Sequence, residues 1–248
     1  YDEDRWPSGS VGGIVTEDPT LRQRSLKLTE MSPETTLPEE PLLALFIADV
    51  QDINVYAYEP VASLEEAAVR IAAAETVGGW KVLAFTEHVI EPSSFYNGNT
   101  YIDTMNRRAT ERFLQLTHEK YGVYCGEKFG HSIKGIFTDE PHRGDGMGNK
   151  TVLEDGRITC SIGWTGDLFE QFEKRNGYDW RPLLPELFYR PHGEKVVPIK
   201  HDYFETANDL FLERYMQPVN DWCEQHNLIL TGHVLHEDEL TSQAAVNG

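Results

Sequence analysis

The sequence predicts an α/β protein with a parallel β-sheet, more specifically part of a (β/α)8 TIM-type barrel. Two short apolar runs, Val82–Phe85 and Leu228–Thr231, flank a third run that ends at Asp139, and helical patterns separate them. Strands that alternate with helices are typical of βαβ units, in which right-handed crossovers make the strands parallel. Acidic or histidine residues follow each run, and α/β barrels carry their active-site groups at such strand ends. Because fewer than eight strands of this kind are evident, we expect an incomplete barrel.

The first third of the chain departs from this alternation. Asp18-Pro19 favours a short helix, since proline suits the first helical turn. An acidic, proline-rich stretch follows, and two strand-like runs at 42–47 and 53–58 then predict an inserted β-hairpin. We therefore assign residues 28–62 to a surface insertion or linker within one domain of residues 1–248.

Helix signals are clear in the rest of the chain. Ser63-Leu64-Glu65-Glu66 is a capping-box pattern, and Asn106 is a suitable N-cap for the next helix. A further helix is expected to end at Asn176-Gly177. The longest helix, from about residue 200 to 225, has apolar residues at intervals of three and four, and we expect Pro218 to kink it.

Charge composition narrows the class of ligand. The chain has 248 residues, of which 41 are acidic and 22 basic, so its net charge is −19. A surface this negative repels phosphate backbones, which argues against nucleic acid and anionic membranes as partners. It suits neutral polar ligands such as sugars, or a hard cation bound by carboxylates. No apolar run approaches the roughly 20 residues that a membrane-spanning helix requires.

The segment Ser132–Pro141 is the strongest candidate for a catalytic site. Its β-branched and aromatic residues predict a short buried strand that ends in two adjacent carboxylates, Asp139 and Glu140. Because a residue before proline is pushed towards an extended conformation, we expect Glu140 to project from the end of the strand. Glu140 is the candidate general acid. Asp139 either contacts the substrate or, since adjacent strand residues face opposite ways, makes a structural ion pair.

Other residues near predicted strand ends are candidates for the same site. Glu237 is a second candidate carboxylate, with metal binding or simple solvation as the alternatives. His233 either contacts the substrate or is a buried structural histidine. Trp6 and Trp164 could stack on sugar faces. The remaining candidates for substrate contacts are Asp2, Glu3, Asp4, Arg5, Glu87 and His142.

Four segments, in the same order along the chain, resemble parts of the catalytic barrel of glycoside hydrolase family 106, which contains α-L-rhamnosidases. They are Tyr1–Gly9 with Gly12-Gly13, Tyr101–Glu119, Gly135–Pro141 and Thr231–Glu237. The resemblance touches most of the chain and is weakest between about residues 28 and 79. It implies that the chain is an internal part of a (β/α)8 glycoside hydrolase domain, with Glu140 and Glu237 as site carboxylates. Because hydrolysis of a glycosidic bond commonly uses two carboxyl groups, Glu237 is then the candidate base.

The resemblance also implies a glycoside or oligosaccharide substrate and a Ca²⁺ ion near it. Further domains of the same parent chain and a secreted or periplasmic location are expected on the same ground. Two functions remain open at this point. One is hydrolysis of glycosidic bonds in plant or microbial carbohydrate, most like that of an α-L-rhamnosidase. The other is a carbohydrate- or Ca²⁺-binding module derived from such a barrel, without turnover.

Overall fold

The computed structural model describes residues 5–144, 151–154 and 157–235. The strands are β1 (Arg24–Met31), β2 (Leu42–Gln51), β3 (Asn54–Pro60), β4 (Trp80–Val89), β5 (Gly135–Asp139), β6 (Thr151–Val152), β7 (Ile158–Trp164), β8 (Arg190–Pro191) and β9 (Ile229–His233). The helices are α1 (Leu64–Ala73), α2 (Arg107–Leu116), α3 (His118–Cys125), α4 (Leu168–Asn176), α5 (Leu184–Phe188), α6 (Pro198–Phe211) and α7 (Gln217–Gln225). None of the helices in these ranges is long and apolar enough to span a membrane.

Seven strands form one mixed, mainly antiparallel sheet in the order β6-β7-β1-β4-β2-β3-β8. β4 is antiparallel to both of its neighbours, β1 and β2, whereas β3 and β8 are parallel. β5 and β9 form a separate, parallel pair. The expectation of a (β/α)8 TIM-type barrel, with β4, β5 and β9 adjacent and parallel in one sheet, is therefore wrong. The parallel pairing of β5 with β9 is the part that is confirmed.

Two strands that the sequence analysis missed explain the error. β1 begins after the helix signal at Asp18-Pro19 and runs into the predicted insertion, and β7 lies after Pro141, where the sequence analysis predicts no strand. β1 lies between β4 and β7 and is antiparallel to both. Its buried Leu26 and Leu28 alternate with the more exposed Lys27, which is a strand pattern. The cap at Asp18 supports no more than a short 3-10 turn.

Residues 28–62, expected to be a surface insertion or linker, supply half of β1 and all of β2 and β3. The predicted hairpin is confirmed, because β2 and β3 pair antiparallel with a register shift at Asp49 and Val50. The Asp49 carboxylate accepts the backbone N–H groups of Val77, Gly78 and Gly79 at 2.7–3.0 Å. These hydrogen bonds fix the turn that leads from α1 into β4.

Both faces of the large sheet are covered, so the middle of β4 is buried. Leu83 and Phe85 face the main core, to which α2, α4, α5 and α6 contribute. Val82 and Ala84 face a smaller core beneath α1 that includes Ala67. The continuous apolar run of β4 therefore reflects two buried faces, a pattern that is common in parallel sheets but not restricted to them.

The predicted helix ends are largely confirmed. The Ser63 hydroxyl accepts the N–H of Glu66 at 3.2 Å, and the Asn106 side chain accepts the N–H of Arg108 at 3.1 Å. α4 ends at Gly177, whose φ of 78° is the left-handed conformation that glycine adopts without steric cost. These interactions are local in sequence, which is why the sequence alone predicts them.

The long C-terminal helix is irregular near its proline. A π-helical segment, Leu212–Met216, joins α6 to α7 just before Pro218. Proline has no N–H to donate to the preceding turn, and a π segment is one way in which a helix accommodates such a break. Within this segment, Arg214 donates hydrogen bonds to Asp167 at 2.7 and 2.8 Å.

Candidate functional site

The ends of β5 and β9 bring three predicted site residues together. Asp139 pairs with His233 in the strand register, and the N–H of Glu140 donates to the His233 carbonyl at 2.9 Å. The Nε2 atom of His233 lies 3.3 Å from Asp139 Oδ1, and its Nδ1 atom lies 3.9 Å from Glu140 Oε1. The three side chains are 26–31% exposed, so a ligand can reach them. Asp139 therefore contacts a histidine on the neighbouring strand, and its predicted substrate contact stays a prediction.

Glu140 has a left-handed backbone with φ of 52°. The expectation that Pro141 would hold it extended is therefore wrong. Its N–H donates a hydrogen bond to the His233 carbonyl. In an extended strand, the side chains of Asp139 and Glu140 would point to opposite faces of the sheet, and the left-handed turn at Glu140 removes this arrangement. A residue with a Cβ pays about 1–2 kcal/mol for this conformation. Backbone strain of this kind concentrates at functional sites.

The N-terminal loop, residues 5–13, is docked on the end of β5. The N–H of Ser8 donates to the Asp139 carbonyl at 2.9 Å, and the N–H of Asp139 donates to the Ser8 hydroxyl at 2.7 Å. The carbonyl of the buried Ser8 accepts the Tyr101 hydroxyl at 2.6 Å. Gly9 has φ of 100°, and a Cβ there would lie 2.9 Å from Ile102. The loop is therefore held against the strand end by both its backbone and its close packing.

Trp6 joins this loop to the candidate acid. Its indole N–H donates to Glu140 Oε2 at 2.5 Å, while 44% of the residue stays exposed. The Phe95 ring packs edge-on against Trp6 at 5.5 Å, and the Arg5 guanidinium lies 5.5 Å from the centre of the Phe95 ring. Exposed rings beside a carboxylate suit a ligand with both C–H faces and hydroxyl groups. We call Trp6, Asp139, Glu140 and His233 the Trp6–Glu140 cluster.

His142 contacts the N-terminal loop indirectly, through Tyr101. Its ring stacks on Tyr101 at 4.3 Å, and its carbonyl accepts the Thr104 hydroxyl at 2.8 Å. Its Nδ1 atom accepts the N–H of Gly144 at 3.2 Å. Because Tyr101 also holds Ser8, His142 is connected to the N-terminal loop. The contacts give it a role in positioning the loop, and the predicted substrate contact stays a prediction.

Glu87 and Trp164 belong to a different group of residues. Glu87 forms an ion pair with Arg24 and accepts the Trp164 indole N–H at 2.9 Å. Trp164 is only 2% exposed and packs against Phe169 and Trp180. It is therefore a core residue and not the exposed sugar platform that we expected. Within the described ranges, the side-chain partners of Glu87 are Arg24 and Trp164, and neither belongs to the Trp6–Glu140 cluster.

The sequence analysis also missed a buried carboxyl group. Asp103 is 3% exposed, and burial raises the pKa of its carboxyl group to about 7. Hydrogen bonds from the Thr165 hydroxyl, at 2.7 Å, and from a backbone N–H, at 3.1 Å, act in the opposite direction, as do the charges of Arg24 and Arg214. Asp103 thus titrates near neutral pH within a network that joins three segments of the chain.

The Ca²⁺ ion implied by the resemblance finds few ligands in the described part of the site. Ca²⁺ takes six to eight oxygen ligands, and Asp139 and Glu140 are the carboxylates of the Trp6–Glu140 cluster. Of the other carboxylates predicted for this site, Glu87 pairs with Arg24 instead, and Asp2, Glu3, Asp4 and Glu237 lie outside the described residues. We therefore assign no chemical step to a metal.

Comparisons with known proteins add little. No protein-family model matches the chain, and no curated protein matches it. Among solved structures, a rhamnosidase from Novosphingobium sp. PP1Y matches 88% of this chain with 14% sequence identity and a TM-score of 0.41. The likeness is weak, and it is to a glycosidase. This chain spans 27% of that protein's length, and a match of this size decides neither family 106 membership nor the activity.

Proposed function

We propose that the Trp6–Glu140 cluster binds a carbohydrate and, in the full-length protein, supplies the general acid for hydrolysis of a glycosidic bond, most like that of an α-L-rhamnosidase. The observation that carries the proposal is the setting of Glu140. Its carboxyl group is open to solvent, oriented by the exposed Trp6 and mounted on a strained backbone. A structural carboxylate gains nothing from this combination, whereas a catalytic one needs a fixed orientation and access to the substrate.

In this mechanism, the protonated Glu140 gives its proton to the glycosidic oxygen as the bond to the anomeric carbon breaks. Trp6 holds Oε2, which leaves Oε1 to carry the proton. His233, between Oε1 and Asp139, is placed to keep the two carboxyl groups at fixed positions. A base takes a proton from the water that adds to the anomeric carbon, and Glu237 is the candidate in this chain.

The test is a comparison of leaving groups in the full-length protein. Glu140→Gln should lower kcat by about 10²–10⁴-fold on glycosides with poor leaving groups, because general acid catalysis contributes this much. It should largely spare activated aryl glycosides, whose leaving group needs little protonation. Glu194→Gln, which changes an exposed carboxylate in the loop before α6, is the matched control. Unchanged turnover of a natural glycoside by Glu140→Gln would contradict the assignment.

A binding function without turnover is the second candidate, and one observation favours it. Asp139 and Glu140 leave the same strand end and share His233, so they cannot lie on opposite faces of one sugar ring. The described residues of the cluster therefore supply an acid but no partner on the other side of the bond. If the full-length protein binds a glycoside, returns it unchanged and loses binding in Trp6→Ala, the binding function is the correct one.

A further inference from the structure

A cavity lies on the large sheet, between the acidic, proline-rich stretch 36–41 and the strands β1 and β4. Its volume is about 600 Å³, within the range of about 300–1,000 Å³ that small-molecule sites occupy. None of its described lining residues belongs to the Trp6–Glu140 cluster. Glu87, which the sequence analysis assigned to the substrate site, lines this cavity instead.

The wall of the cavity is fixed in place by contacts to the sheet. The Pro41 carbonyl accepts the N–H of Glu87 at 3.0 Å. The Glu40 carboxylate accepts a hydrogen bond from Lys27 at 2.8 Å and lies 3.4 Å from His88 Nδ1. The prolines of this stretch restrict its backbone further. A ligand would therefore meet a preformed surface, which lowers the entropy cost of binding.

The charges around the cavity exclude an anionic ligand. Four carboxylates and two cations line it: Glu39, Glu40, Glu87 and Glu91, with Lys27 and Arg157. Lys27 forms an ion pair with Glu40, and Glu87 forms one with Arg24. The described residues include no group of three metal-ligating atoms at this place. The cavity thus offers neither a site for phosphate nor a set of ligands for a cation.

What remains is a polar surface with one apolar side. Leu37 and Val89 are 37% and 36% exposed, and Pro38 lies beside Leu37. Hydroxyl groups can bind the carboxylates and His88, while C–H faces can pack on the apolar side. We infer that this cavity is a binding site for a neutral oligosaccharide, separate from the Trp6–Glu140 cluster and independent of its catalytic role.

The test is nuclear magnetic resonance titration of the isotope-labelled protein with neutral maltotetraose, cellotetraose and xylotetraose, and with tetragalacturonate as the anionic control. At least one neutral tetrasaccharide should shift the amide signals of Thr29, Leu37 and His88 at millimolar concentration, and tetragalacturonate should not. Leu37→Asp should weaken that binding at least tenfold, because it places a charge on the apolar side. Glu91→Arg, on another part of the rim, should weaken it as well.

Two variants separate this site from the one proposed for catalysis. Val196→Asp changes a more exposed apolar residue, 72% against 37% for Leu37, that lies outside the cavity, and it should leave binding unchanged. Trp6→Ala should also leave it unchanged. The inference is overturned if no neutral tetrasaccharide binds, if tetragalacturonate binds at the same amides, or if the shifts are confined to Trp6 and Asp139. It is also overturned if correctly folded Leu37→Asp and Glu91→Arg bind as tightly as the native chain.

Discussion

The left-handed backbone at Glu140 gives a prediction that does not depend on any substrate. Glu140→Ala and Glu140→Gly both remove the carboxylate and its bond to Trp6, so the two variants differ only in the Cβ atom. At a φ of 52°, the Cβ costs about 1–2 kcal/mol. Glycine loses about 0.4–1 kcal/mol more in conformational entropy on folding. The glycine variant should therefore be more stable than the alanine variant by about 0.5–1 kcal/mol.

Asp139 supplies the matched control one residue earlier. It lies in β5 and has extended backbone, so Asp139→Gly should be less stable than Asp139→Ala by about 0.5–1 kcal/mol. The order of stability of the two substitutions should thus reverse between neighbouring carboxylates. Both pairs remove a contact of the same histidine, so loss of the carboxylate itself does not produce the reversal.

The measurement is urea unfolding at neutral pH, with the free energy of unfolding taken from midpoints at a common slope. In thermal unfolding, a difference of 1 kcal/mol corresponds to about 2–4 °C in Tm for a domain of this size. Equal stability of Glu140→Gly and Glu140→Ala, or the ordinary order at both positions, would refute the strained backbone. It would also remove one of the supports for a functional role of Glu140.

Three further predictions concern stability. Gly232→Ala should cost at least about 3 kcal/mol in urea unfolding, because a Cβ there would lie 1.9 Å from the Thr138 carbonyl and β5 would separate from β9. Burial raises the pKa of Asp103 from 3.8 to about 7, so the native chain binds this proton more tightly than the unfolded chain does. The resulting stabilisation, on the order of 4 kcal/mol, is lost as pH rises from about 4 to 7. Asp103→Asn should not show this loss. Burial, and to a smaller extent the charge of His226, lowers the pKa of His118 to about 3. When the histidine side chains are titrated with acid, the His118 ring should therefore stay neutral down to about that pH. The free energy of unfolding should fall as pH drops from 6.5 towards 3.

Local signals in the sequence predicted local structure. The caps at Ser63 and Asn106 depend on residues three or fewer positions away, and both form as expected. Glu140 and His233 lie together because each lies at or next to the end of a strand that the pattern identified, whereas the sequence predicted no strand beside Trp6. The parallel pairing of β5 with β9 was predicted from the helical patterns between them, although β6, β7 and β8 also lie between them.

Strand direction in the large sheet could not be predicted in the same way. β4 is antiparallel to β1 and β2, and the sequence analysis missed β1 because Asp18-Pro19 favours a short helix before it and an acidic, proline-rich stretch follows it. The backbone of Glu140 depends on a hydrogen bond to His233, 93 residues later in sequence, which overrides the local preference before proline. The pKa of Asp103 is shifted only because the folded chain buries its carboxyl group, and the neighbouring residues in the sequence do not predict that burial.

The docking of residues 5–13 on β5 has a consequence for the dynamics of the site. A two-stranded pair is only marginally stable by itself. Ser8 adds two hydrogen bonds to Asp139: its backbone N–H donates to the Asp139 carbonyl, and its side-chain hydroxyl accepts the Asp139 N–H. The same short loop presents Trp6 to solvent. Amide exchange of Asp139 should therefore report whether the loop is in place, and a ligand that immobilises Trp6 should slow that exchange. Ligand binding at Trp6 and stabilisation of the β5–β9 pair would then be coupled through the nine residues of the N-terminal loop.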